Sequence, residues 1–367
     1  MLLPNACPAI ESRLMSDSTG DLRAAGHNRG LYVVALLTAL CTFPLIFMGG
    51  LVTSHRAGLA VPDWPNTFGY NMFTFPISHW VGGVFYEHTH RLAGTLVGML
   101  ALLLAGWAYF AEPRRRVRWL TYWVLIGVIA QGVLGGLRVV LVDTDLAIIH
   151  GCVAQAFFCL TILAAMTMSR WWRRLPPAPL NWGSDTAVLA LAATAVVFLQ
   201  LICGAVMRHY DAGLAIPDLP LAYGRLLPPL DGEGLYRINA WRAAQTGANL
   251  EPVTLVQVWV HFAHRVGALA AAGVGTALIV HVLRRHRGQP LLVRQAWLLA
   301  VLLAAQLTLG VLVVLLGKPA DIASYHVAVG AGVLASTFVI SVRAARLVGA
   351  PATQPAGIAQ PTGAMAS

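Results

Sequence analysis

Eight long apolar runs alternate with polar or arginine-bearing segments along this chain: Leu31–Val52, Leu92–Ala111, Trp119–Leu137, Leu146–Met168, Ala187–Met207, Val266–Leu283, Ala296–Leu316 and Ile322–Val342. Each has roughly the 17–25 residues that a helix needs to cross the hydrocarbon core of a bilayer. The pattern predicts an all-α integral membrane protein with eight transmembrane helices. Pro44 inside the first run marks a kink there. That run is longer than a signal-peptide core of roughly 7–15 residues and reads as a retained span.

The polar segments orient the bundle. Of 25 basic residues, 24 are arginine and one is Lys318, and sixteen fall in alternate connections on one side. By the positive-inside rule both termini are cytoplasmic, and the long loops 53–86 and 208–258 face outward across the plasma membrane. Hydrophobic residues make up 57% of the chain and charged ones 11%, with a mean hydropathy of +0.68. A soluble domain carries about a quarter charged residues, so composition supports the spans. The net charge of +10 sits in juxtamembrane clusters, which excludes a nucleic-acid patch. Cys41, Cys152, Cys159 and Cys203 lie within apolar runs, Cys7 lies in the tail, and no CxxC occurs. They read as small packing residues.

Within the spans and loops the chain repeats itself. Ala57–Pro65 reads AGLAVPDWP and Ala212–Pro220 reads AGLAIPDLP. His90-Arg91 is matched by His264-Arg265, the Gln131–Gly135 segment by Gln306–Gly310, and His150 by His326, always in the same order. The eight helices therefore form two pseudo-symmetric four-helix bundles, related as parallel repeats. The expected organisation is a cytoplasmic tail (1–30), an N-terminal half (31–170), a cytoplasmic linker (171–186), a C-terminal half (187–345) and a second cytoplasmic tail (346–367).

Four of the twelve histidines follow the repeat. His90 and His264 stand at the start of the second and sixth spans, and His150 and His326 near the start of the fourth and eighth. Ionisable groups in spans are costly and mark function. Two imidazoles from two helices of a bundle can hold haem iron from both faces. Zinc fits less well, because no cysteine or carboxylate completes a tetrahedral site in both halves. His88 is a weaker ligand candidate, and His55, His79 and His209 read as loop residues. Glu87 lies one turn from His90 on the same helix face, whereas its repeat counterpart is His261. The acid thus stands outside the shared scaffold. Arg91 and Arg265 fit two roles, pairing with haem propionates or snorkelling to lipid headgroups.

The Gly49–Val52 helix end, the AGLAVPDWP loop, Glu87-x-x-His90-Arg91, the second His-Arg motif and the later histidine of each half together resemble the haem A synthase family, over residues 30–345. That resemblance implies oxidation of a methyl group of haem O to a formyl group, giving haem A for cytochrome oxidase. It implies a haem b cofactor on His264 and His326, with Arg265 beside it. It also implies a substrate haem site at His90, His150 and Arg91, with Glu87 catalytic. Haem O synthase and an electron donor are implied partners, and a homo-oligomer is compatible with the resemblance. Many bacterial relatives carry a cysteine pair in the first outer loop, and residues 53–86 have none. A di-haem electron-transfer protein linked to quinol, or a non-enzymatic haem carrier or assembly factor, would use the same histidine pairs.

Overall fold

The computed structural model describes residues 28–175, 180–245 and 250–347. Most of both expected tails, including Arg13, Arg23 and Cys7, lies outside the described residues. Eight helices are long and apolar enough to cross a membrane. They are α1 (Arg29–Ser54), α2 (Gly82–Ala111), α3 (Arg115–Val140), α4 (Thr144–Met168), α5 (Asp185–His209), α6 (Leu255–Arg285), α7 (Pro290–Leu315) and α8 (Ala320–Leu347). No strand forms among the described residues. In lipid, a helix satisfies its own backbone polar groups, which is why apolar runs of this length fold this way. Large apolar side chains such as Leu199, Leu269 and Val301 are exposed on the outside of the bundle. A soluble protein would cover such a surface; this is a multi-pass membrane protein.

Local signals set the helix ends. Asn28 accepts a hydrogen bond from Leu31 N, Ser184 from Ala187 N, and Asp143 from Asp145 N and Leu146 N. These caps satisfy orphan donors of the first turns of α1, α5 and α4. Thr254 and Gln257 form a capping box at α6, and α7 opens on Pro290. The helix α1 runs through Pro44 without ending.

Helices α1 to α4 pack in a closed ring, each against the next and α4 against α1, and α5 to α8 repeat that order. Each ring has its own core, with Ala35, Leu104 and Val124 in one and Leu278, Leu299 and Leu334 in the other. The rings meet where α1 and α4 lie against α8 and where α4 lies against α5. Ile46, Phe158 and Ala331 fill that seam. The helix α8 is the most buried span. Its buried Ser324, Ala328, Gly330 and Ala331 are small residues that let neighbouring backbones approach closely.

Two helices exceed the apolar runs. The helices α2 and α6 begin about three turns before the expected starts at Leu92 and Val266. Their first turns mix apolar residues with Glu87 and His88 in α2 and with Gln257 and His261 in α6, which interrupts the apolar run. His90 and His264 consequently sit inside continuous helix, not at its beginning. His209, expected in a loop, is the last residue of α5. The long second loop contains a further helix, Gly232–Ala244, whose Ile238 packs with Ala212, Ile216, Ala222 and Val253 into a small core of its own.

Candidate functional site

The four repeated histidines stand on diagonal helices of the two rings, His90 on α2 and His150 on α4, His264 on α6 and His326 on α8. Each ring presses against a glycine of a neighbouring helix. A Cβ built on Gly49 would lie 3.2 Å from Cε1 of His90, and one on Gly135 would lie 3.2 Å from Cε1 of His150. The corresponding distances are 3.0 Å for Gly204 and His264 and 3.1 Å for Gly310 and His326. Contacts this short are tighter than nine in ten real Cβ contacts, so a side chain at any of the four positions would make its ring give by a few tenths of an ångström.

Three of the four rings also meet a glutamine. Nε2 of Gln200 lies 3.1 Å from Nδ1 of His264 and donates to its backbone carbonyl at 2.8 Å. Gln131, with its amide turned to suit its neighbours, donates to Nδ1 of His150 at 3.0 Å. Nε2 of Gln306 lies 3.5 Å from Nε2 of His326. By the repeat offset, the fourth glutamine position is Leu45, and Nδ1 of His90 is buried without a hydrogen-bond partner among the described residues.

The ring centres of His264 and His326 are 6.5 Å apart, with planes at 73°. Two imidazoles holding one metal from opposite sides, each at about 2 Å, have ring centres roughly 6–6.5 Å apart. The described residues contain no group of three or more His, Cys, Asp or Glu placed to hold a metal. A pair of axial imidazoles therefore suits a metal whose other donors come with it, as in a porphyrin. His90 and His150 are close enough to act on each other electrostatically. His88 takes no part: its ring is buried between Phe75 and Trp80 and contacts Thr67 Oγ1 at 3.2 Å.

Over each pair lies one copy of the repeated loop, tied down in the same way. Arg91 donates to the carbonyls of Asp63 (2.7 Å), Asn66 (3.0 Å) and Val61 (2.8 Å). Arg265 donates to those of Asp218 (2.8 Å), Leu221 (3.0 Å) and Ile216 (2.7 Å). Both arginines thus spend their guanidinium on loop backbone. Glu87, 2% exposed, accepts from Val61 N and from Arg91, each at 2.9 Å. His261 occupies the corresponding place, with Nδ1 3.2 Å from Ile216 N and Nε2 3.2 Å from Arg265 Nε, although a neutral imidazole accepts from only one of the two. This corrects the expectation that the acid stands apart from the shared scaffold. Residues 87 and 261 are one structural position, filled by a carboxylate in one half and an imidazole in the other.

Within each loop an aspartate closes the turn. Asp63 accepts from Phe68 N (2.7 Å) and Gly69 N (2.8 Å), and Asp218 from Tyr223 N (2.8 Å) and Gly224 N (2.9 Å). Partial burial would raise the Asp63 carboxyl, but those N–H groups and the charge of Arg91 outweigh it and hold the group below its ordinary value. Each loop has a further arginine anchor, Arg138 in the first, donating to Gly58 O at 2.9 Å, and Arg242 in the second. Arg242 reaches the carbonyls of Glu251 and Leu214 and the Tyr223 hydroxyl, which itself donates to Ala215 O.

The profile of the COX15-CtaA family of cytochrome oxidase assembly proteins matches residues 32–338. The chain belongs to this family. It is 26% identical over 341 residues to the heme A synthase of Geobacillus kaustophilus strain HTA426, covering 91% of this chain and 98% of that one. It is 24% identical to the heme A synthase of Halalkalibacterium halodurans, covering 82% and 92%. Against the heme A synthase of Rhizorhabdus wittichii the identity is 26%, covering 82% and 90%. The family match begins within α1 and ends within α8, so it takes in both histidine pairs.

Sequence reasoning found the four histidines, Glu87 and the two His-Arg motifs. It missed the glycine and glutamine partners, although Gly49 belongs to the motifs that carry the family resemblance and Gln131 and Gln306 to the repeated segments. It also missed Arg138 on α3 and Arg208 on α5, which the repeat pattern hides because neither has a basic counterpart.

Proposed function

We propose that this protein oxidises a porphyrin methyl group of haem O to the formyl group of haem A for cytochrome oxidase. The observation that carries the reading is a duplicated histidine cradle in which one half alone places a carboxylate at the shared loop-holding position. Family membership and the relatives named heme A synthase support it.

In this reading the C-terminal half, residues 187–345, holds haem b as a resident cofactor on His264 and His326. The N-terminal half, residues 31–170, takes haem O between His90 and His150. The bound haem supplies the redox chemistry. The protein's residues orient the rings, and the loops held by Arg91 and Arg265 cover the pairs and restrict water. Taking the methyl carbon to a geminal diol adds two waters and releases four protons and four electrons, which an external oxidant must accept, and the diol then loses one water to give the aldehyde. Glu87 accepts and returns protons beside that carbon, or stabilises positive charge developing there. Both termini are cytoplasmic and the histidine end of the bundle faces outward, as the arginine distribution requires.

The equality of the two cradles also favours a second reading, a two-haem electron carrier. One substitution separates the two. Glu87→Gln is a poor test, since an amide NH2 facing Val61 N–H or Arg91 leaves a buried donor unpaired, at about 1–3 kcal/mol. Glu87→His instead copies the residue that stands beside the loop at the equivalent position 261 of the other half. Co-expressed with a haem O synthase, this variant should keep the spectrum of the C-terminal haem and stop haem A formation in extracted pigments. Wild-type haem A yield from Glu87→His would remove the carboxylate from the chemistry.

A further inference from the structure

Two half-buried arginines near the histidine pairs have no repeat counterpart. Arg138 corresponds to Val313 and Arg208 to Thr53. Arg138 follows Gly135 by three residues on α3, and Arg208 follows Gly204 by four on α5. Both spacings keep a residue on the same helix face, one turn on. Each guanidinium therefore lies one turn beyond a glycine that cradles a histidine, on the loop side of that ring. The Arg138 charge acts on both His90 and His150, and the Arg208 charge acts on His326.

Neither arginine has a carboxylate of its own. Arg138 donates to Gly58 O at 2.9 Å, and Arg208 to Gly50 O and Ser54 Oγ. Glu87 is the acid whose charge Arg138 feels, but both its oxygens already serve Val61 and Arg91. A guanidinium within a span is costly unless an anion or several acceptors compensate it. Arg91 and Arg265, the obvious partners from sequence, are consumed by loop carbonyls.

We propose that Arg138 and Arg208, one for each half, are the positioning residues that pair with the propionate carboxylates of the two haems. The proposal rests on the haem reading above. A porphyrin held between the diagonal histidines with its propionates toward the loops brings a carboxylate to each guanidinium. The pairing is bidentate in kind and fixes the in-plane rotation of the ring. In the first half that rotation decides which porphyrin edge lies toward Glu87.

The experiment uses the full-length protein in detergent or nanodiscs, loaded with iron protoporphyrin IX, and follows haem transfer to apomyoglobin. Wild-type protein must first show the bis-imidazole spectrum; without it the haem reading itself fails. Arg208→Gln should then release the C-terminal haem about tenfold faster or more and lower its reduction potential. Arg208→Lys, which keeps the charge, should retain most of the potential. Arg138→Gln should speed release only of the second equivalent. Haem dimethyl ester, which lacks the carboxylates, should leave wild type as fast as free-acid haem leaves Arg208→Gln. If both Gln variants release free-acid haem at wild-type rates, or if esterification changes nothing, the arginines serve lipid phosphates or the fold and the proposal is overturned.

Discussion

The two halves of this protein hold the same slots and secure them differently. Both place two histidines on diagonal helices against glycines, and both tie a repeated loop down with an arginine. In the second half the loop has a small core of its own beside the Arg242 anchor, where the first loop has Arg138 on Gly58, and both histidines meet a glutamine. In the first half His90 meets no glutamine, and a buried carboxylate replaces an imidazole under the loop. A tightly framed site suits a group that stays, and a loosely framed one suits a group that enters and leaves. The duplication supplies a common cradle, and in the proposed function the departures from it would separate a resident cofactor from a substrate.

The largest expected effect comes from filling a slot. Gly204→Leu should displace His264 and lower the bis-imidazole haem content about tenfold or more, given the cost of overpacking such a contact. Gly49→Leu should leave that haem in place and remove only binding of a second equivalent. Haem-to-protein ratios of the two purified variants check this. Loss of both haems from either variant would mean that the halves do not bind independently.

Exchanging the ring partners gives a smaller effect. Partners of a metal-bound histidine typically change affinity 10–100-fold. Gln200→Leu should therefore raise the dissociation rate of the C-terminal haem about tenfold, while Leu45→Gln should slow exchange at the first site. Stopped-flow transfer to apomyoglobin measures both. A slower-releasing Gln200→Leu would invert the proposed difference between resident and transient sites.

These partners show where the sequence was legible. Eight spans were readable because lipid-facing helices must be apolar along about 20 residues, and all eight lie where the apolar runs fall. The histidine pairs were readable because a duplicated ionisable residue in a span is rarely accidental. The first three turns of α2 and α6 were not, since Glu87 and His88 in one and Gln257 and His261 in the other interrupt the apolar run. Gly204 and Gln200 look like ordinary span residues until α6 is laid beside α5. Arg138 and Arg208 escaped for the opposite reason, as reading by repeat discards what does not repeat.

The smallest expected effect concerns acid. The Asp63 carboxyl is held below its ordinary value by Phe68 N, Gly69 N and Arg91. Its contribution to the first loop is full above the unfolded value and is lost as pH falls through the lowered folded one. Amide exchange at Phe68 and Gly69, followed by mass spectrometry from neutral to acid pH, should show protection falling over that acid range. The Arg242 anchor should keep the loop around Ile216 protected over the same range. Equal loss in both loops would remove this difference between the halves.

The position of α8 carries a consequence for biosynthesis. The first pair of histidines is complete once α4 ends at Met168, with the second half still to be made. The second pair needs His326, which lies on the last helix of the bundle, and that helix also covers α1 and α4. Domains emerging from the ribosome form in chain order, so the second histidine pair is complete only when the final span has entered the membrane. A chain cut short before α8 would lose that pair and also expose the seam between the halves. Quality control in the membrane thus has a single late event to sense.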